Sequence, residues 1–235
     1  MRSLLFVFFA LSVCAQAARE VRLRLLAFDN MTIPADCFAF DPAAPPGAAG
    51  TPAPIKGYLN HEVVKVTVTT GDLTFSKSAD VANLNKPEFQ LGKVKLPNTG
   101  SRFMLIFLPN GDQGFRVMPL DDSVREFPLG AYRFVSLSRL PVKVTLEDKA
   151  YEFKPGQSSL VENPPVQANN HSAMYAYSFV DGKWARIGAG LWPAQGKKRS
   201  VQIFWDNPSS KNTELRGFRD ISPPGPGDEI APDQS

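Results

Sequence analysis

Thiol catalysis needs a cysteine that ionises and a base within hydrogen-bond reach, and this 235-residue chain offers Cys37 with only His61 or His171 to serve it. Neither histidine neighbours Cys37, and Asp36-Cys37-Phe38 carries no glycine-rich elbow for an oxyanion. A lone cysteine between an acid and a phenylalanine reads as a small buried hydrophobe. Metal chemistry fares no better. His61-Glu62 is half of a helical zinc motif, without the second histidine and in a strand setting. Asp121-Asp122 pairs two carboxylates, but calcium asks for about six or more oxygen ligands, so both read as solvated acids at a hairpin end. A glycosidase sets two carboxylates about 5 to 10 Å apart. Asp72, Asp122, Glu147 and Asp181 all stand beside turn residues, where aspartate serves the local backbone without catalysis. Gly-x-Ser-x-Gly and phosphate-cradling glycine loops are absent from the sequence. The sequence thus predicts no catalytic residue, no metal and no cofactor.

What remains is binding chemistry. Tyr175, Tyr177, Trp184, Trp192 and Trp205 gather in the last third of the chain, and rings exposed on a sheet face stack against sugars or anchor a protein partner. Strand alternation puts Tyr175 and Tyr177 on one face. The competing reading places the tryptophans inside a sandwich core. Lys197-Lys198-Arg199 reads as a solvated turn, with a clamp for an anionic polymer as the alternative. The balance of 26 basic against 23 acidic residues is too even to call for nucleic acid.

The first seventeen residues set an expected compartment. Arg2 supplies a positive start, Leu4 to Val13 form an apolar stretch, and Ala15-Gln16-Ala17 gives the small-x-small pattern of a cleaved export signal. The expectation is a periplasmic or secreted protein beginning near Ala18, with no transmembrane segment in the mature chain. Lipid attachment through Cys14 is the alternative, although Val13 is larger than that signal prefers. Cleavage leaves Cys37 alone, so no internal disulfide forms. Asn30-Met31-Thr32 and Asn170-His171-Ser172 match the glycosylation acceptor pattern, which matters only in a eukaryotic secretory cell.

The elements that must position these residues are strands. Val21, Leu23 and Leu25 alternate with Arg22 and Arg24, and Val64, Val66 and Val68 alternate with Lys65 and Thr67, the period of strands with one wet face. Phe103 to Leu108 is continuously apolar, and Asn110-Gly111-Asp112 separates it from Phe115 to Met118. That predicts a hairpin whose first strand is buried on both sides. Further strands are expected at 132–137, at 142–146 with its return at 151–153, at 174–180, 184–187 and 200–205, and at 214–218. No stretch carries the 3.6-residue period of an amphipathic helix, and 21 prolines punctuate the chain.

The predicted fold is all-β, with tandem immunoglobulin-like sandwiches over 18–128 and 129–221 and one larger sandwich as the alternative. Residues 41–54, rich in Ala, Pro and Gly, and the tail 222–235 are expected to lie outside the packed core. Leu96 to Phe103 faintly echoes Phe127 to Phe134; turn followed by strand accounts for that likeness without duplication. Gly130 to Ser138, Pro141 to Val144 and Tyr151 to Gly156 resemble uncharacterised exported bacterial β-sandwich proteins, in which a strand with a Leu-Ser ending leads into a hairpin closed by Pro-Gly. The resemblance implies export and a sandwich, and no activity. The functional expectation is a non-catalytic structural or binding module at the cell envelope, with an envelope protein or glycan as partner. A carbohydrate-binding module or carbohydrate-active enzyme is the alternative.

Overall fold

The computed structural model describes residues 18–29, 33–45, 47–59, 62–111 and 114–225. The export signal, Cys14, His61, Asn30-Met31-Thr32, Asp112 and the end of the tail lie outside them. The first half contains β1 (Arg19–Ala27), β2 (Phe38–Phe40), β3 (Thr51–Pro52), β4 (Val64–Val68), β5 (Asp72–Ser76), β6 (Gln90–Lys95), β7 (Arg102–Pro109) and β8 (Phe115–Asp121). The second contains β9 (Tyr132–Ser136), β10 (Val142–Leu146), β11 (Lys149–Phe153), β12 (Ser158–Val161), β13 (His171–Val180), β14 (Lys183–Pro193), β15 (Arg199–Asp206) and β16 (Thr213–Asp220). The fold is all-β, and the only helical pieces among the described residues are single 3-10 turns at Val81–Asn83 and Pro87–Phe89.

Four four-stranded sheets form two sandwiches in tandem. An outer sheet β3-β2-β5-β6 packs on an inner sheet β4-β1-β7-β8, and an inner sheet β12-β9-β15-β16 packs on an outer sheet β11-β10-β13-β14. Adding eight to each strand number of the first half reproduces the strand order of the second. The parallel pairs recur too, β1 with β7 and β9 with β15. The topology is therefore duplicated. The sequence echo does not report it, because Arg102-Phe103 opens β7 and Arg133-Phe134 lies in β9, whereas the counterpart of β7 is β15.

Three hydrophobic cores separate the four layers. The first lies within the first sandwich, where Leu23, Leu25, Phe103 and Phe107 meet Leu73, Phe75 and Leu91. The third lies within the second, around Phe134, Val144, Met174 and Phe204. The middle one joins the inner sheets of the two halves: Leu26, Phe28, Met104, Ile106 and Leu108 against Ala131, Val135, Val201, Ile203 and Phe218. This explains the unbroken apolar run of β7, since Phe103, Leu105 and Phe107 serve one core while Met104, Ile106 and Leu108 serve the next.

The middle core also corrects the reading of β1 as half wet, because Leu26 and the buried Arg24 both face the second half. Residues 41–54 are more engaged than expected. Thr51–Pro52 pairs with β2, and the Ala53 N–H donates to the Cys37 carbonyl in the first core. The start of the tail packs as well, with Pro224 buried. No helix among the described residues is long and apolar enough to cross a membrane.

Candidate functional site

The fold scatters the residues considered for catalysis. Cys37 enters β2 in the first outer sheet, where burial pushes its thiol up to about 12, leaving essentially no thiolate at neutral pH. His171 opens β13 at the opposite end of the four-layer stack, with Nδ1 2.8 Å from the Asn169 carbonyl oxygen. The turn carboxylates have local employment. Asp72 accepts from the Thr70 hydroxyl at 3.1 Å, Glu147 accepts from Gln167 Nε2 at 2.8 Å, and Asp181 occupies the left-handed position of the β13–β14 turn with φ 49°. Among the described residues, no three His, Cys, Asp or Glu side chains gather as metal ligands.

Two expectations of solvated charge are overturned at the centre of the molecule. Asp122 and Arg199, read as turn residues, are 1% and 0% exposed, and they meet Arg24 and Asp220, 4% and 0% exposed, between the two halves. Arg24 grips both carboxylates bidentately, at 2.8 and 2.7 Å to Asp122 and at 2.9 and 2.7 Å to Asp220. Arg199 donates through Nε to Asp220 at 3.0 Å and through Nη2 to Asp122. Its Nη1 donates to the Phe127 carbonyl at 2.6 Å, and its guanidinium lies 4.4 Å from the Phe127 ring centroid. Burial alone would lift the Asp220 carboxyl, but the hydrogen bonds and charges of the two arginines outweigh it and hold the group below its ordinary value.

The positions are duplicated along with the strands. The Asp122 N–H donates to the Arg102 carbonyl at 3.1 Å, and Arg199 is the register partner of Asp220. Arg24 and Arg133 stand at matching places in β1 and β9, opposite Met104 and Val201. The two carboxylates are matched by two guanidiniums in a closed space, so this cluster clasps the halves together.

The five aromatic residues divide into two groups. Tyr175, Tyr177 and Trp184 lie on the solvent side of the outer sheet β11-β10-β13-β14, together with Phe179, Lys143 and Arg186. Lys143 is the register partner of Tyr177 in β10, Arg186 is its partner in β14, and Phe179 faces Trp184. Lys143 Nζ lies 4.1 Å from the Trp184 ring centroid and 5.2 Å from that of Tyr177, and the Arg186 guanidinium lies 5.9 Å from the Tyr175 ring. Phe179 meets Trp184 edge-on at 5.1 Å. Trp205 faces the middle core, edge-on to Phe28 at 4.9 Å. Trp192 turns into the second sandwich, 4.9 Å from Tyr132.

A bulge is the reason Trp184 and Trp192 face oppositely despite an even spacing. Tyr177 pairs with Arg186 but Ala176 pairs with Gly188, so Ile187 is the extra residue, and one extra residue exchanges the two faces of a strand.

That bulged strand borders a cleft that the sequence does not announce. β14 and β16 are edge strands, one from each sheet of the second sandwich. Between them lies a space of about 420 Å³ lined by Tyr132, Trp192, Gln195, Ser200, Gln202 and Arg219, with Gly188 and Gly217 in its walls. Ser200 donates to Gln195 Oε1 at 2.8 Å, and Gln195 Nε2 donates to the Tyr132 hydroxyl at 2.7 Å. No protein-family model matches this chain, and no curated protein matches it in sequence.

Proposed function

We propose that the protein is an exported, non-catalytic β-sandwich module that holds an envelope protein or glycan on the open face of its second outer sheet. The observation that supports this most is the grouping of Tyr175, Tyr177, Phe179 and Trp184 with Lys143 and Arg186 on a regular sheet surface turned to solvent. Flat rings on strands lose little conformational freedom on binding, and the charges beside them, Lys143 and Arg186 with Glu152 opposite Lys143, supply a polar rim. The thiol suppressed by burial and the dispersed turn carboxylates argue against a reacting centre among the residues considered.

Retention on isolated cell-envelope material and on a glycan array tests the reading, alongside a hydrolysis screen. The expected result is retention without cleavage on envelope material and on glycans free of uronic acids, lost in a Tyr177→Ala/Trp184→Ala variant whose unfolding midpoint is unchanged. Cell fractionation of the full-length chain should find it outside the cytoplasm. Turnover of a substrate that disappears on changing Cys37 or a turn carboxylate would overturn the proposal.

A further inference from the structure

The duplicated topology supplies an internal control for the cleft beside β14. In the first sandwich the corresponding edges, β6 and β8, are shut against each other. A Cβ added to Gly92 in β6 would lie 2.7 Å from the Phe115 carbonyl oxygen and 2.9 Å from Val117 Cγ2, both in β8. In the second sandwich, a Cβ on Gly188 or Gly190 of β14 would meet nothing nearer than Ala176 Cβ at 3.8 Å or Met174 Cε at 4.0 Å, both in the neighbouring strand β13. The same seam of the same architecture is closed in one copy and open in the other.

The open seam is furnished with polar groups, and one has no partner. Tyr132, Gln195, Ser200 and Gln202 are all buried at the cleft. Three of them are linked, Ser200 to Gln195 and Gln195 to Tyr132. Gln202 is only 7% exposed, yet its side-chain amide makes no hydrogen bond among the described residues. Facing the cleft, the amide is left to whatever fills that space, water or a ligand. A Cβ on Gly217 of β16 would fall 2.6 Å from Gln202 Oε1, so the glycine leaves the amide its present position against β16. Arg219, exposed at the rim, forms no ion pair among the described residues. Trp192 and Tyr132 supply the aromatic wall.

We infer that this cleft binds an acidic sugar unit, a hydroxylated ring carrying a carboxylate. The amide of Gln202 both donates and accepts, which matches hydroxyl groups. The Trp192 and Tyr132 rings cover the apolar face of a sugar ring, and Arg219 answers a carboxylate. The volume lies in the range of ligand pockets and suits a disaccharide. The site is separate from the outer aromatic face and stands whether or not that face binds.

The test titrates the purified protein with glucuronic acid, galacturonic acid and a diuronide, with glucose and galactose as neutral counterparts, following tryptophan fluorescence and heat. The uronates should bind more tightly than the neutral sugars. Gln202→Leu should weaken both classes about tenfold, and Arg219→Gln, a rim change that leaves the interior intact, should erase the preference for uronates. Gly188→Leu should abolish binding by filling the cleft, while Tyr177→Ala/Trp184→Ala on the outer face leaves it unchanged. Thermal melts confirm that each variant is folded. The inference is overturned by failure of the folded wild-type protein to bind any uronate, by binding that survives both Gln202→Leu and Gly188→Leu, or by a cleft that takes peptides in preference to sugars.

Discussion

Removing Asp220 tests the central clasp most directly. Asp220→Ala deletes three charge-assisted hydrogen bonds, two from Arg24 and one from Arg199, and leaves two buried guanidiniums facing the single carboxylate of Asp122. Truncating one member of a buried ion pair costs about 3–5 kcal/mol, because the surviving charge stays desolvated. With a urea slope of about 2–3 kcal/mol per molar, the midpoint should fall by about 1–2.5 M. The pH dependence carries a second signature. Asp220 titrates below its ordinary value in the folded protein, so its contribution is complete above the unfolded carboxyl value of about 3.9 and is lost as pH falls from there toward the folded value. The wild-type protein should therefore lose stability over that acid range more steeply than Asp220→Ala. Urea melts followed by circular dichroism at neutral and acid pH measure both effects. A midpoint shift worth under about 1 kcal/mol at neutral pH, the range of an exposed pair, would refute the assignment of the cluster as the clasp between halves.

Other outcomes follow from the same geometry. Ile106→Ala, in the middle core, should cost about 2–5 kcal/mol while fluorescence and circular dichroism still report one coincident transition, because the two sandwiches share that core. Gly92→Ala should destabilise by about 1–3 kcal/mol, since the backbone carbonyl it strikes cannot swing aside; Gly188→Ala, with open space around it, should leave thermal stability unchanged or slightly raised. In a Cys14→Ser background, Cys37 should resist a thiol reagent until denaturant is added, because the buried thiol is held at about 12.

The sequence made some of this legible through local periodicity. β7 is visible as a run of six apolar residues because both of its faces meet cores, and β4 is visible because one face is wet. β2 and β12, three and four residues long, carry too few alternating positions to stand out from loop. The clasp was hidden for a different reason. Alternation reads an arginine as solvent-facing, and the carboxylates that make Arg24 a buried residue lie 98 and 196 residues away. The aromatic group was legible as composition but not as geometry, since the bulge at Ile187 sends Trp184 outward and Trp192 inward. The lone signals for the cleft were Gly188, Gly190 and Gly217, and glycine in a strand announces a bulge or a close approach without saying which.

β1 occupies the interior of its sheet, and its parallel neighbour β7 enters eighty residues later, Arg22 beside Arg102. Arg24 then waits for Asp220, on the last strand among the described residues. A nascent polypeptide can therefore complete its first sandwich early while Arg24 holds Asp122 alone, and the clasp closes only when the final strand arrives. A stop codon ahead of that aspartate spares every strand of the first sandwich, yet it leaves Arg24 with Asp122 alone and the seam between the halves unlatched.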